Sequence, residues 1–192
     1  MNIFALHPNP KKSARWHADK HVVKMLLESV QMLYSAHWIV AFPFILDKKG
    51  PFAVSVIQKG LPTPPALRTA PKQLKNPQQR GYRPVHVHHP CTVWVRSSQA
   101  NYIWLCNLAI ALAKEHTHRW PGSIHSCEEH AHWLLNNVPD LPNTPLTPFA
   151  VAMPPEYKTG DPITSYRAFY RGSKTDRGIT NRYTKRHKPH WL

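Results

Sequence analysis

The amino-acid sequence predicts a mainly α protein: a single compact helical domain over residues 1–192, with a long proline-rich basic loop at 50–90 and a basic strip at 172–192. Three observations carry that expectation. Apolar residues recur at helical spacing from Asp19 to Ala41 and again from Thr92 to His118. Breakers close both stretches, Pro43 after the first and Pro121-Gly122 after the second. Strand-like alternation is scarce, and there is no internal repeat. At 192 residues the chain can bury one sizeable core.

Asn2 to Leu6 reads as an edge strand or an extended lead-in. His7-Pro8-Asn9-Pro10 stops it, because a residue before proline avoids the helical region. Lys11 to Trp16 suits a short helix, and Asp19 to about Ala41 the first long one. From Gly50 to Pro90, eight prolines (Pro51, Pro62, Pro64, Pro65, Pro71, Pro77, Pro84, Pro90) are interspersed with Lys59, Arg68, Lys72, Lys75, Arg80 and Arg83. Only Phe52 to Ile57 looks regular there. A loop of this length inside a domain is functional or disordered, so it either follows a phosphate backbone or is a basic insertion. Thr92 to His118 reads as the second long helical region. Ser126-Cys127-Glu128-Glu129 has the form of a capping box and predicts a helix through Leu135. Asp161-Pro162 opens the last helix, as N-cap and first helical residue, and Gly172 is placed to end it.

The balance of 25 Lys+Arg against 10 Asp+Glu leaves a formal net charge of +15 and a pI near 10.1. Self-repulsion of that size favours a polyanionic partner, nucleic acid first and an anionic membrane surface second. The longest apolar-rich stretch, Trp38 to Leu46, is broken by Pro43 and falls well short of the roughly 18–20 residues that span a bilayer. Met1 to Leu6 lacks the charged start of a secretory signal. Cys91, Cys106 and Cys127 are few, odd in number and not arranged as C-x-x-C, which suits a reducing compartment. The expected location is cytoplasmic.

On the first long helix His17, His21, Lys24, Glu28, Gln31 and Ser35 share one narrow face, while the rest of its surface is nearly all apolar. That stripe faces either solvent or an internal cleft. Asp19 lies off it, as a helix cap or as a carboxylate held among apolar neighbours. With so few acids in the chain, Asp19 and Glu28 are the candidates for acid chemistry, and spacing does not choose between them.

His86-Val87-His88-His89-Pro90-Cys91 crowds imidazole and thiol groups, yet lacks the two separated ligand pairs of a structural zinc site. A second pair would have to come from Cys127 with His125, His130 or His132. No metal is expected, and His86 and His89 are read as phosphate or sugar contacts. Trp94, Arg96, Asn101, Tyr102 and Trp104 follow, residue types on which unpaired bases stack, although aromatics at helical spacing are more often core. Near the C-terminus Tyr166, Arg167, Tyr170, Arg171, Lys174, Arg177, Arg182, Lys185, Arg186 and Lys188 face only Asp176, a surface suited to tracking phosphates.

MNIF, DKHVVKMLLESVQML (Asp19–Leu33), HHPCTVW (His88–Trp94) and NYIWL (Asn101–Leu105) occur in that order. KEHTHRW (Lys114–Trp120), LTPFAVAMPPEY (Leu146–Tyr157), DPITSYRAFYRG (Asp161–Gly172) and the final KPHWL follow them. Together they resemble, over nearly the whole chain, a family of small phage proteins labelled pyrimidine-dimer or modified-base DNA glycosylases. The chain is also similar to bacterial antiviral glycosylases that remove glucosylated hydroxymethylcytosine from phage DNA. It departs from the phage pattern at His7-Pro8-Asn9, where an acidic residue is expected, and in the Gly50–Arg80 insert.

No cofactor is expected and a monomer is the expected state; the resemblance implies an enzyme that flips a modified pyrimidine out of double-stranded DNA. It would hydrolyse the N-glycosidic bond and leave an abasic site. Asp19 or Glu28 would supply the carboxylate. His21 and His89 would hold the sugar-phosphate or assist the departing base, and Lys24 would bind phosphate. Contacts to DNA are further expected from Lys20, Gln31, His86, Trp94, Asn101, Tyr157, Tyr166, Arg167, Tyr170, Arg182, Lys185 and Lys188. The alternatives are a non-catalytic DNA-binding protein, a nuclease or a DNA-modifying transferase.

Overall fold

Six α-helices lie among residues 1–47, 60–175 and 181–192, the residues the computed structural model describes. They are α1 (Pro10–Trp16), α2 (Asp19–Ala41), α3 (Pro90–Arg96), α4 (Gln99–Arg119), α5 (Glu128–Asn136) and α6 (Pro162–Thr175). Short 3-10 turns occupy Pro43–Asp47, Pro65–Leu67 and Pro155–Tyr157, and β1 (Lys72–Gln73) pairs antiparallel with β2 (Asn76–Arg80). The mainly α architecture read from the sequence is what the chain adopts. Phe52–Ile57, Lys59, Asp176 and Arg177 lie outside the described residues. No helix among the described residues is long and apolar enough to cross a membrane.

α2 and α4 make the most extensive helix pair, with α1, α3 and α5 packed around them. Leu26, Val30 and Leu33 of α2 are fully buried, as are Leu105, Leu108 and Leu112 of α4. Those positions recur three and four residues apart, the spacing that puts an apolar stripe on one side of a helix. Asn2–Leu6 is not a strand. It is an irregular lead-in threaded through the core, with Ile3, Ala5 and Leu6 fully buried. Cys91, Cys106 and Cys127 are buried and unpaired.

Local chemistry explains where the helices depart from expectation. The stretch read as one helix from Thr92 to His118 divides at Ser97-Ser98. Ser97 Oγ donates to the Trp94 carbonyl (2.8 Å), and extended Ser98 (φ −155°, ψ 155°) caps α4 by accepting the Asn101 N–H (3.0 Å). Serines compete with the helical ladder in this way. The Ser126 capping box does not form: Cys127 is the N-cap of α5 and makes no side-chain cap bond, while His125 Nδ1 accepts the Cys127 N–H (3.1 Å).

Asp161 caps α6 as expected, accepting the Thr164 N–H (2.6 Å). Gly172 does not end that helix. It lies inside α6, where an added Cβ would sit 2.5 Å from the Tyr157 ring, so the glycine serves close packing. Gly81 follows the hairpin with φ +60° and a Cβ position 2.6 Å from the Tyr34 ring, and only glycine meets both conditions.

A chain of alternating charges ties the C-terminal strip to the helices. The fully buried Arg119 guanidinium donates to Asp19 Oδ1 (2.8 Å), Glu115 Oε2 (3.3 Å) and the Arg15 carbonyl (3.2 Å). Arg186 donates to both oxygens of Glu115 (2.7 and 3.0 Å). Thr184 bonds Asp19 through its N–H (3.0 Å) and hydroxyl (2.7 Å), and the Asp19 N–H donates to the Arg182 carbonyl (2.9 Å). Burial alone would raise Asp19 and Glu115, but bonds from Thr184 and Arg119 in one case, and from Arg186 and Arg119 in the other, hold both below the usual carboxylate range.

Arg119→Ala removes the guanidinium shared by Asp19 and Glu115, leaving them only Thr184 and Arg186, and is expected to cost up to about 3–5 kcal/mol, read as a lower urea midpoint. A loss under about 1 kcal/mol would show the network to be dispensable. Two buried histidines set a second dependence. His37 lies 3.0 Å from the Tyr102 hydroxyl and His130 2.8 Å from that of Tyr34, and burial pushes both down to about 4. Both stay neutral in the fold while the unfolded chain gains a proton at each below about pH 6.5. Their contribution is therefore complete above pH 6.5 and lost as pH falls towards 4, on the order of 3 kcal/mol each. Thermal melts across that range should show the decline, and His37→Gln should flatten it.

Candidate active site

The polar stripe of α2 is neither open to water nor sealed. At its ends the groups turn inward: His17 is buried with Nδ1 2.8 Å from the Ser13 carbonyl oxygen, and buried Ser35 accepts the Val85 N–H (3.1 Å). Between them Lys24 is exposed, while His21, Glu28 and Gln31 are half-buried. Residues 1–4 lie against His21 and Glu28.

Asn2 donates its N–H to Glu28 Oε2 (2.9 Å), and the Met1 amino group lies 3.8 Å from the same oxygen. Lys24 Nζ is 3.5 Å from Oε1. Glu28 is thus a carboxylate with 12% of its side chain exposed and N–H or cationic groups on both oxygens. The Asn2 side chain holds this arrangement. Its Oδ1 accepts the Ile3 and Phe4 N–H groups (2.8 and 3.1 Å), and its Nδ2 donates to the Ala152 carbonyl (2.9 Å).

Two strained residues lie close in sequence to groups around Glu28, Phe4 two residues after Asn2 and His86 three before His89. Phe4 has φ +36°, held by stacking on His21 (4.7 Å, 18°) and Phe169 (5.9 Å, 11°) and by the edge of Tyr170. His86 has φ +46°, and its carbonyl accepts the His89 N–H (2.8 Å) in the turn that leads into α3. Non-glycine residues adopt this region at a cost, and such outliers cluster at functional sites. His89 then caps α3, its Nδ1 accepting the Cys91 N–H (3.2 Å). Burial, followed by the Met1 amino group and His86, holds His89 below its ordinary value, while the nearby Glu28 charge pulls it upward. Burial pushes the Cys91 thiol up to about 11, so it remains protonated and is not a nucleophile.

The second candidate carboxylate is spent elsewhere. Asp19 already accepts from Arg119 and from both donors of Thr184, and its place in the ion network is structural. The structure pairs Glu28 with Lys24 and sets His89 where the Glu28 charge acts on it, while His21 stacks on Phe4 and His86 is exposed.

Several expected DNA contacts face inward instead. Trp94 packs on Trp104 and Phe149. Asn101 is fully buried and bonds Trp94, Ser97 and Thr147. Tyr166 and Tyr170 are buried, donating to the Ala150 carbonyl and accepting the Ala18 N–H respectively. Tyr157 packs against Phe169. Arg167 donates to the Leu6 carbonyl (3.0 Å) and lies over Trp16 and Trp191. These side chains hold the fold, and as placed Trp94, Asn101, Tyr166 and Tyr170 present nothing to a nucleic acid. Helical periodicity marks an apolar face equally well whether it meets the core or a base.

Lys20, Lys24, His86, Arg182, Lys185 and Lys188 do reach solvent. Among the described residues no three His, Cys, Asp or Glu converge as metal ligands. Cys127 lies beside the Tyr82 hydroxyl (3.4 Å) and His130 beside that of Tyr34. Asn2, Phe4 and Ala152 were not singled out as functional by any motif. They matter through the fold, which lays the first residues over α2.

Glu28→Gln removes the negative charge that supports protonation of His89, so the His89 titration should move to lower pH in a histidine NMR titration. An unchanged His89 would mean the two groups do not communicate. Comparison with family models, curated proteins and solved structures gives no match.

Proposed function

We propose that the protein is a DNA glycosylase that hydrolyses the N-glycosidic bond of a modified pyrimidine in double-stranded DNA. The observation that carries this reading is Glu28: a half-buried carboxylate with an amide N–H and two ammonium groups on its oxygens, whose charge also acts on the half-buried His89. The net charge of +15 supports a polyanionic substrate. The ordered resemblance to small glycosylases points to the same chemistry.

The target nucleotide would leave the stack and place its sugar at Glu28. As the bond between C1′ and the base breaks, the sugar becomes oxocarbenium-like and the carboxylate stabilises it. Water then attacks C1′ and Glu28 takes its proton, while the departing base gains one from His89 or solvent. Lys24, Lys20, Arg182 and Lys185 would receive phosphates. Asp19 and Arg182 meet about 14 Å along α2 from Glu28, at 1.5 Å per residue. A Schiff base needs a desolvated amine, and the Lys24 side chain is 61% exposed, which favours simple hydrolysis. A bulky glucosylated hydroxymethylcytosine of phage DNA is the proposed target, and antiviral defence the proposed setting.

Incubation with glucosylated and with unmodified phage DNA, read by mass spectrometry of the released base and by an abasic-site assay, tests the reading. Base release from modified DNA alone is expected. Glu28→Gln should lower it by at least about a hundredfold with DNA affinity near wild type. Asp19→Asn should act through stability, leaving activity largely intact at low temperature. Tight binding without base release from any modified DNA would overturn the proposal. Strand breaks without base release would indicate a nuclease, and a borohydride-trapped adduct would indicate a Schiff-base lyase.

A further inference from the structure

The β1–β2 hairpin is closed by hydrogen bonds at its base. The Gly81 N–H donates to the Pro71 carbonyl (2.9 Å), Gln73 Nε2 to the Gly81 carbonyl (2.7 Å) and Arg80 to the Ala70 carbonyl (2.8 Å). Residues 74–78 are all exposed, and the tip residue Leu74 is 79% exposed, the highest value among the exposed large hydrophobics.

One exposed leucine is common, but its setting here is specific. Lys72 and Lys75 flank it, Gln73, Asn76, Gln78 and Gln79 share the ribbon, and no acidic residue occurs between Asp47 and Glu115. Lysine and amide side chains around an apolar tip are the chemistry with which proteins enter a groove and wedge a base step. A two-stranded ribbon also has the right width for the major groove. Pro77 lacks an N–H on β2, which disfavours pairing with a peptide strand.

The segment leaving β2 runs straight to the candidate site. The Tyr82 carbonyl accepts Trp38 Nε1 (3.0 Å), the Val85 N–H donates to Ser35, and His89 lies near Glu28. Tyr34 and Trp38 are six and ten residues beyond Glu28, about 9–15 Å along α2. The ribbon adds at most about 13 Å from its base to its tip. Leu74 and Glu28 therefore fall within roughly one turn of B-DNA, about 34–36 Å.

We infer that this hairpin enters a groove of the DNA and inserts Leu74 between neighbouring base pairs, within one duplex turn of the excised nucleotide. Lys72 and Lys75 hold the adjacent phosphates, and the unstacked, bent duplex releases the target base more readily. The link to base release rests on the glycosylase reading; the insertion itself needs only DNA binding.

The test uses full-length protein and a duplex of about three helical turns. The duplex carries glucosylated hydroxymethylcytosine, with 2-aminopurine placed at successive steps within a turn of it. Wild type should raise 2-aminopurine fluorescence at one step. Leu74→Ala should abolish that rise and slow base release from duplex by about tenfold or more. Release from single strands should be unchanged, and the melting temperature should hold because the side chain lies outside the core. Lys75→Gln should keep the rise but flatten the salt dependence of affinity by about one phosphate contact.

No rise at any step with wild type, or a rise that survives Leu74→Ala, overturns the wedge whatever happens to the base. A Leu74-dependent rise without base release upholds the wedge and removes the glycosylase reading.

Discussion

A guanidinium with no access to water is the constraint on which this fold turns. Arg119 sits at the end of α4 and donates at once to the end of α1, the start of α2 and its own helix. An unpaired charge in that position would be very costly, so three elements must be correctly placed for any of them to be stable there. Thr184 and Arg186 complete the acceptors' shells and draw the C-terminal strip onto the same node. The strip is held as structure at Thr184 and Arg186, while Arg182, Lys185 and Lys188 beside them are left exposed.

The same helix carries two carboxylates with opposite fates. Asp19 stands in the first turn of α2, where the helix dipole already favours an anion, and its lone pairs are consumed by Arg119 and Thr184. Glu28, nine residues on, meets a backbone N–H and two amines but no guanidinium, although the two side chains are similarly exposed, 12% for Glu28 and 15% for Asp19. Charge-assisted bonds from a guanidinium hold Asp19 in its charged form. That contrast is why the proposed function rests on Glu28 and not on Asp19.

Much of what was legible in the sequence concerns single segments. The spacing of Leu26, Val30 and Leu33 announced α2, and Asp161-Pro162 announced α6 with its cap. Failures came where short side chains compete for backbone groups, as at Ser97-Ser98, or where packing overrides local preference, as at Gly172 beneath Tyr157. The site was half legible. His89, Lys24 and Glu28 carry visible chemistry, but Asn2 and Phe4 act through contacts with residues far along the chain, and nothing local marks them.

By itself the sequence determined the helical class, the basic character and the pair of carboxylates, because periodicity and charge are properties of neighbouring residues. Only the tertiary structure decided which carboxylate meets a guanidinium, which aromatic residues are core, and that the tip of the Lys72–Arg80 ribbon is exposed. Those outcomes depend on partners roughly 26 to 165 residues apart, such as Asn2 with Glu28 or Asp19 with Thr184. A side chain's chemistry follows from what desolvates and bonds it, and folding alone brings those partners together.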